Sequence, residues 1–373
     1  MENSKLQISI QEIVEKLDKL ALFHLSLASR ELFHSNFWYW LSTIGSDGPR
    51  KLYRALAVED DTDHVPSVVF RREVRRKENK SATADLVAMS GDYTALLVVE
   101  NKLKDIPRKE QLQRLSTAFE SDSPLFVVVT PLPPEMLDDL RQDESLSQWS
   151  YLQYGKLAEK IRELFLPTGN SYHDALIHEY IHLLTHLSAL SQALFRSSHQ
   201  KSYDFVKDQD PNLFDALNRV KLWELYQRIR GSDMARYIGA KLKERGIDVN
   251  PVVGINHKKA TIDFKLFLET ENQVKSSAIG IQIEGNQYRK ILEMPNNCDV
   301  EAKKLIEQGI WFIPRTEKSL DRQLCKYGST FRYQYEKIQV GSGSSDSAEL
   351  SFDSLANRIA LDLQQAPFDI LKT

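Results

Sequence analysis

The chain has 373 residues, of which 42% are hydrophobic and 27% are charged, and its net charge is −3. These values are typical of a globular protein, and the length favours two domains over one. The small negative charge excludes a general polyanion-binding surface, so any surface for nucleic acid must be a local patch. No apolar run has transmembrane length, and the acidic residues near the N-terminus do not fit a signal peptide. Two cysteines, Cys298 and Cys325, make no disulfide framework, and we expect a cytoplasmic protein.

Residues 7–44 predict two helices. Apolar residues recur at helical spacing in the first, and the second is rich in aromatic residues and ends at a Gly- and Pro-containing turn. Glu31 and His34 lie one turn apart on the second helix. Taken alone, Glu31 is best interpreted as a solvated side chain of an amphipathic helix.

A predicted strand at residues 66–74 runs into a basic segment that begins at Arg71. Its cationic residues are Arg71, Arg72, Arg75, Arg76 and Lys77. Glutamates within the segment favour a solvated loop. However, the segment leads directly to an acidic residue, Asp85, and a cationic loop beside a carboxylate site is what docking of a phosphate backbone requires.

Two short apolar runs, residues 85–89 and 95–99, predict a β-hairpin. If Gly91–Thr94 form its loop, Asp85 lies directly opposite Glu100. Opposed residues share one face of a sheet, with Cβ atoms roughly 5 Å apart. The hairpin is therefore expected to bring two carboxylates together.

Lys102 lies two residues beyond Glu100 and shares its face. Two carboxylates on one face repel unless a cation lies between them, and oxygen ligands favour Mg²⁺ or Mn²⁺. The backbone carbonyl of Asn101 is placed as a further ligand. A metal, a water nucleophile and an adjacent cation are the components needed for phosphodiester hydrolysis. On spacing alone, a surface salt-bridge cluster at a strand end, with Asp85 paired to Lys102 and Glu100 to an arginine, explains the pattern equally well.

The elements after the hairpin predict a mixed β-sheet flanked by helices, which is an α/β (α+β) fold. They are a helix at 108–120 with Leu112, Leu115 and Phe119 inward, a strand at 125–130, a short helix at 133–140, a strand at 149–153, and helices at 155–165 and 173–195.

The helix at 173–195 carries His178-Glu179-Tyr180-Ile181-His182, a formal match to HExxH, with His186 one turn further on. In zinc peptidases such histidines bind Zn²⁺ and the glutamate activates water. The surrounding apolar residues are those of an ordinary packing helix. A structural helix is therefore favoured over a zinc peptidase.

The second half of the chain predicts a separate α+β unit without a catalytic constellation. Its predicted elements are a linker at 208–211, helices at 213–230, 232–245, 299–308 and 352–364, strands at 260–268, 277–284, 311–314 and 331–338, and a flexible loop at 341–345. We place the domains at residues 1–200 and 201–373.

The first half resembles the PD-(D/E)XK nuclease superfamily through Asp85, Glu100-x-Lys102 and a following helix with Gln111. Within it, the chain is similar to a prokaryotic family with an E-L-x-H-S helix and an E-N-K core. The matching segments are Glu31–Ser35, Glu100–Lys102 and Gln111-Leu112. The resemblance spans roughly residues 25–155, and Ala84 replaces the proline that many members have before the aspartate.

This resemblance implies a restriction-endonuclease-like sheet and a Mg²⁺- or Mn²⁺-dependent nuclease. Asp85 and Glu100 would be metal ligands, Lys102 the catalytic lysine and Gln111 a supporting residue. Glu31 would complete the metal site, and Glu73 is a weaker candidate for its periphery. The implied substrate is DNA in preference to RNA, in a prokaryotic restriction, repair or antiviral defence setting.

Two further expectations concern partners and alternatives. The second domain is expected to recognise nucleic acid, to bind a defence-system partner or to form a homo-oligomer. The main alternative function is a non-catalytic nucleic-acid-binding or regulatory protein on a nuclease scaffold. The presence of Asp85, Glu100 and Lys102 together weakens this alternative.

Overall fold

The computed structural model describes residues 9–26, 30–57, 67–76, 82–103, 105–198, 211–268, 277–313, 324–338 and 351–367. The chain divides into two compact units, Met1–Arg196 with Asp215–Leu225, and Ser197–Phe214 with Tyr226–Thr373. The predicted domain boundary after residue 200 is close to Arg196, where the chain first passes from one unit to the other. Residues 215–225 belong to the first unit again. Each unit contains one β-sheet with helices, so the predicted α+β class is confirmed.

Residues 9–198 contain eight α-helices and five strands in their described part. The helices are α1 Ile10–Asp18, α2 Ala21–Ser26, α3 Arg30–Leu41, α4 Gly48–Leu56, α5 Lys109–Phe119, α6 Asp138–Arg141, α7 Tyr154–Phe165 and α8 Ser171–Ser198. The strands are β1 Val69–Arg75, β2 Thr83–Met89, β3 Ala95–Asn101, β4 Leu125–Thr130 and β5 Trp149–Gln153. Short 3₁₀ turns lie at Glu120–Asp122, Pro134–Leu137 and Glu144–Leu146.

The sheet of the first unit has the order β1-β2-β3-β4-β5. Strands β1 to β3 are antiparallel neighbours, whereas β3, β4 and β5 are parallel. The carboxyl ends of these three parallel strands therefore lie at one edge of the sheet. β4 is an uninterrupted run of apolar residues that ends in threonine, and it is buried almost throughout because it lies inside the sheet.

The predicted pairing of the hairpin is correct at its open end and wrong at its tip. Leu86 pairs with Val99, which continues to Asp85 opposite Glu100. At the tip the loop has three residues rather than four, because Ser90 bonds Thr94 across it.

The loop and a bulge compensate each other along β3. Tyr93, the last loop residue, has φ 68°, as expected for three-residue hairpin loops. Met89 pairs with Ala95 and Ala88 with Leu97, so Leu96 is an extra residue in β3. This bulge restores the register that the shorter loop would otherwise have shifted.

Helix α5 packs against the sheet as predicted. Leu112, Leu115 and Phe119 are buried and join a core cluster with side chains from the sheet, including Val87 and Val98. Burial of these side chains fixes the helix over the hairpin. Polar residues of α5 that face the carboxyl edge are thereby held in place.

The N-terminal region differs from its prediction. Residues 10–41 form three helices rather than two, and α4 follows where no helix was predicted. α1 begins at a capping box, in which Ser9 and Glu12 satisfy each other's backbone amides. Pro49 lies in the first turn of α4, where its missing N–H costs no hydrogen bond.

The remainder of the chain contains four helices and six strands among its described residues. They are α9 Pro211–Arg219, α10 Trp223–Glu244, β6 Val252–Asn256, β7 Lys259–Leu268, β8 Ser277–Glu284, β9 Gln287–Glu293, α11 Asp299–Glu307, β10 Cys325–Tyr327, β11 Phe331–Lys337 and α12 Phe352–Gln364. The sheet is antiparallel with the order β10-β11-β9-β8-β7-β6. Apolar residues of α10, α11 and α12 share one core with it.

Three predictions for this half are wrong. The helix break predicted near residue 231 lies instead at residues 220–222. Helix α10 continues through Gly231, whose lack of a side chain allows the helix to pass close to Val253 and Ala260. Residues 311–313 are not a strand, and Trp311 has φ 62°. Strands β6, β9 and β10 were not predicted. The predicted loop at 341–345, Pro314 and most of the linker at 208–211 lie outside the described residues.

Both cysteines are free thiols. Among the described residues, no helix is both long enough and apolar enough to cross a membrane.

Gly280 and Gly231 provide a test of how closely backbones approach in the second sheet. A Cβ at Gly280 would lie within 3 Å of the backbone of Phe264 and Lys265, whereas a Cβ at Gly231 would meet only side chains, at 3.1 Å and beyond. We expect Gly280→Ala to destabilise the protein by roughly 2–3 kcal/mol through overpacking. Gly231→Ala should change stability by less than about 1 kcal/mol, since the gain in helix propensity offsets a tight contact. Urea unfolding followed by circular dichroism measures both, and equal losses would contradict the expectation.

Candidate functional site

Glu100 and Lys102 lie at the carboxyl end of β3, and both are buried. The Lys102 ammonium is 2.7 Å from Glu100 Oε1. Asp85, on the neighbouring strand β2, accepts a hydrogen bond of 2.7 Å from the backbone N–H of Asn101. The three residues whose convergence was predicted are therefore together.

Helix α5 supplies a fourth member of the cluster, Gln111. Its side-chain amide donates a hydrogen bond of 2.6 Å to Glu100 Oε1. The same oxygen therefore receives both Gln111 and Lys102. The other oxygen, Glu100 Oε2, is buried and has no hydrogen-bond partner.

Glu31 reaches the same cluster from α3. Its carboxylate accepts a hydrogen bond of 3.3 Å from the backbone N–H of Leu103, just beyond Lys102. The side chain is half-buried rather than solvated. The interpretation of Glu31 as a solvated residue is therefore wrong, and the structure brings it to the site.

The pKa values of all three carboxyl groups are raised. Burial and the neighbouring Asp85 raise the pKa of Glu100 to about 7. Burial is also the main cause of the raised pKa values of Asp85 and Glu31. Burial lowers the pKa of Lys102, but the carboxylates, Glu100 foremost, outweigh this effect and leave it raised. Among the described residues, the cluster thus has one ammonium, that of Lys102, for three carboxyl groups.

The donor set fits a hard divalent cation. An unpartnered buried carboxylate oxygen is costly in a folded protein, and Glu100 Oε2 is one. Mg²⁺ is commonly held by one or two carboxylates together with water molecules. In the described part of the chain, no three or more His, Cys, Asp or Glu side chains are placed so that they could together hold a metal ion. A cation at this place would therefore have at most two of these side chains as ligands, with water molecules completing its coordination.

Glu73 faces Asp85 across the β1–β2 pairing, since its two neighbours pair with the two neighbours of Asp85. Its φ is 50°, an uncommon conformation for a residue other than glycine. Its charge contributes to the raised pKa of Asp85. Glu73 is thus nearer the site than its sequence position suggested, and no sequence signal indicates its left-handed backbone.

The basic segment lies on β1, which is an edge strand. Arg71, Arg72 and Arg75 are all exposed. The guanidinium of Arg71 lies 4.8 Å from the centre of the Tyr93 ring, and that of Arg72 lies 4.8 Å from the centre of the Tyr39 ring. These three arginines remain accessible to a ligand.

Arg76 differs from its neighbours because it is half-buried. It forms an ion pair with Asp122 and lies over the ring of Phe119. These contacts tie the end of β1 to α5, so Arg76 has structural partners of its own. Lys77, the fifth predicted cation, lies outside the described residues.

The HExxH sequence lies on α8 and does not form a metal site with its glutamate. Glu179 accepts a hydrogen bond of 3.0 Å from the N–H of Leu22, in the first turn of α2. His178 and His182 are exposed, and the rings of His182 and His186 are 6.2 Å apart. This geometry favours the structural helix.

His34, in the E-L-x-H-S segment, is fully buried. Its Nδ1 is 2.9 Å from the hydroxyl of Tyr180 on α8, and its ring centre is 5.1 Å from that of Tyr154 on α7. Burial lowers the pKa of His34 to about 3, so the imidazole is neutral. Its place is in the packing of α3 against α7 and α8.

Family models, curated proteins and solved structures were compared with this chain, and none of them matches it. The function proposed below therefore rests on the residues themselves and on the motif resemblance.

Proposed function

We propose that the first unit is a Mg²⁺- or Mn²⁺-dependent nuclease that hydrolyses phosphodiester bonds in DNA. The observation that carries the proposal is the unpartnered Glu100 Oε2. It lies in a cluster where three carboxyl groups surround one ammonium and all three pKa values are raised. The PD-(D/E)XK pattern supports the same conclusion, since Asp85, Glu100 and Lys102 occupy the positions that it requires.

Asp85 and Glu100 would hold the cation, with Glu31 and the backbone carbonyl of Asn101 completing its surroundings. Bound there, a divalent cation would polarise a phosphoryl oxygen and lower the pKa of a coordinated water molecule. Gln111 keeps Glu100 in orientation, because its bond to Oε1 leaves Oε2 free to bind.

Lys102 acts in this proposal as a cation rather than as a base. Its raised pKa keeps the ammonium protonated at neutral pH. A protonated amine can donate hydrogen bonds and stabilise negative charge, which grows on the phosphoryl oxygens during hydrolysis.

Nucleic acid would approach over the edge strand β1. Arg71, Arg72 and Arg75 are exposed there, and β1 is the strand next to β2, which carries Asp85. Arginines bind phosphates through paired N–H groups. The preference for DNA over RNA comes from the resemblance alone.

The setting of the activity stays a prediction. The resemblance favours a prokaryotic enzyme in restriction, repair or antiviral defence, and the two free cysteines favour the cytoplasm. Residues 201–373 are expected to recognise nucleic acid, to bind a partner protein or to form a homo-oligomer. The complete Asp85–Glu100–Lys102 set disfavours the alternative of a non-catalytic protein on a nuclease scaffold.

Cleavage itself is the first test. The purified full chain with Mg²⁺ in excess should cut DNA in a gel assay. Lys102→Ala and Asp85→Asn should each lower the rate by about 10³-fold or more, because each removes part of the transition-state stabilisation. Lys109→Ala and Asp92→Asn, exposed residues of the same types, serve as controls and should keep the rate. Activity that survives both site changes would contradict the proposal.

The pH dependence of stability is a second test. Without a cation, native Glu100 keeps its proton up to about pH 7, whereas the unfolded state releases it near pH 4.5. The native state therefore loses stability as pH rises through this window, by a total of about 3 kcal/mol. Glu100→Gln cannot ionise, so in EDTA it should melt above the unaltered protein at pH 8 and should have no advantage at pH 4.

The same melting experiment includes a metal control. Adding Mg²⁺ at pH 8 should raise the melting temperature of the unaltered protein, because ligands that bind only the native state stabilise it. It should leave Glu100→Gln nearly unchanged. If Glu100→Gln melts below the unaltered protein at pH 8 in EDTA, the Glu100 carboxylate does not destabilise the native state, and the expectation is contradicted.

The arginines of β1 can be tested by salt dependence. In a catalytically inactive Asp85→Asn background, Arg71→Ala and Arg72→Ala should each weaken the binding of DNA. Each should also lower the slope of log affinity against log salt by about 0.9 if one phosphate contact is lost. Arg141→Ala, at an exposed position on α6, is the matched control. Equal slopes for all variants would remove β1 from the binding surface.

A further inference from the structure

The middle residue of Glu100-Asn101-Lys102 does not face the charged cluster. Its side chain is on the opposite face of β3 and is fully buried. The Asn101 side-chain amide donates a hydrogen bond of 3.2 Å to the backbone carbonyl of Glu31. Its side-chain oxygen accepts one of 2.7 Å from the hydroxyl of Tyr154.

These two bonds fix the direction of the Asn101 side chain. Burial raises the pKa of Tyr154 well above its ordinary value, so its hydroxyl keeps its proton and can donate. The Asn101 oxygen must face that donor, and the NH₂ group then faces Glu31. The Glu31 carbonyl can only accept, so the arrangement has one consistent orientation. Without the Tyr154 hydroxyl, the Asn101 oxygen loses the donor that holds it in place, and the side chain is fixed at one end only.

Asn101 contacts two acids of the cluster through different atoms. Its backbone N–H binds the Asp85 carboxylate, while its side chain binds the backbone of Glu31. The adjoining Leu103 N–H then meets the Glu31 carboxylate. The position of Glu31 relative to Asp85 and Glu100 therefore depends on two consecutive hydrogen bonds, which connect α7 to β3 and β3 to α3.

We propose that Tyr154 and the Asn101 side chain are positioning residues that hold Glu31 at the cation site, an inference that rests on the proposed function. Neither side chain touches the cation or the substrate. They act by fixing the end of α3 to the end of β3. Groups that orient metal ligands in this way typically change metal affinity by 10–100-fold when they are lost.

Tyr154→Phe is the decisive variant because it removes one hydroxyl and keeps the buried ring. Tyr180→Phe is its matched control. Tyr180 is equally buried and its hydroxyl also contacts α3, but through His34 and not through Asn101. Mn²⁺ affinity of the full chain can be measured by electron paramagnetic resonance of the free ion. We expect Tyr154→Phe to weaken Mn²⁺ binding at least about 10-fold and Tyr180→Phe by less than about 2-fold.

A Glu31→Gln background tests the route of the effect. If Tyr154 acts through Glu31, Tyr154→Phe should add less than about 2-fold to the loss already caused by Glu31→Gln. A full further 10-fold loss in this background would overturn the inference. Equal losses for Tyr154→Phe and Tyr180→Phe would also overturn it, because they would indicate general loosening of α3.

Hydrogen exchange at the Leu103 amide separates this inference from the proposed function. In cation-free protein, Tyr154→Phe should speed exchange at Leu103 by about 10-fold as its bond to Glu31 weakens, and Tyr180→Phe should not. If the unaltered protein binds no Mn²⁺ but shows this difference, the metal-dependent function fails and the positioning of Glu31 stands. If Leu103 exchange is unchanged in Tyr154→Phe, the positioning role fails whatever the metal affinity.

Discussion

The structure of the first unit is organised around an excess of negative charge at the end of β3. Glu31, Asp85 and Glu100 are held near the Lys102 ammonium, in a place where burial strengthens their repulsion. Elements distant in sequence are needed to keep them there: a hairpin, the helix α5 and the helix α3. A fold that maintains such an arrangement stores electrostatic free energy, which the proposed cation would release on binding.

The two oxygens of the Glu100 carboxylate have different surroundings, and this difference gives the side chain a fixed orientation. Two donors, Gln111 and Lys102, occupy one carboxylate oxygen and fix its plane. The second oxygen has no partner. A carboxylate with one oxygen anchored has a defined direction of coordination, and a freely rotating side chain does not. Orientation and unmet binding capacity are thus combined in one side chain.

Much of this site could be predicted because it depends on local periodicity. The pairing of Asp85 with Glu100 follows from counting along two strands, and β4 and β5 have the bounds that their apolar runs indicate. The tip of the hairpin could not be predicted, because the shorter loop and the bulge cancel in the count. The bonds from Asn101 to Glu31 and Tyr154 join residues far apart in sequence, so no spacing indicates them. In the second unit, the separation of the helices 213–230 and 232–245 is wrong, because Gly231 packs inside α10 against Val253 of β6, a strand that the sequence does not predict.

The bulge at Leu96 has a consequence for how this protein can vary. An extra residue in β3 already takes up a difference in length between the tip of the hairpin and its open end. The tip, with the exposed Tyr93, is thereby decoupled from the pairing of Asp85 with Glu100. Insertions or deletions at the tip can be absorbed by gain, loss or migration of the bulge. Related chains could diversify the surface around Tyr93 while the acidic cluster keeps its geometry.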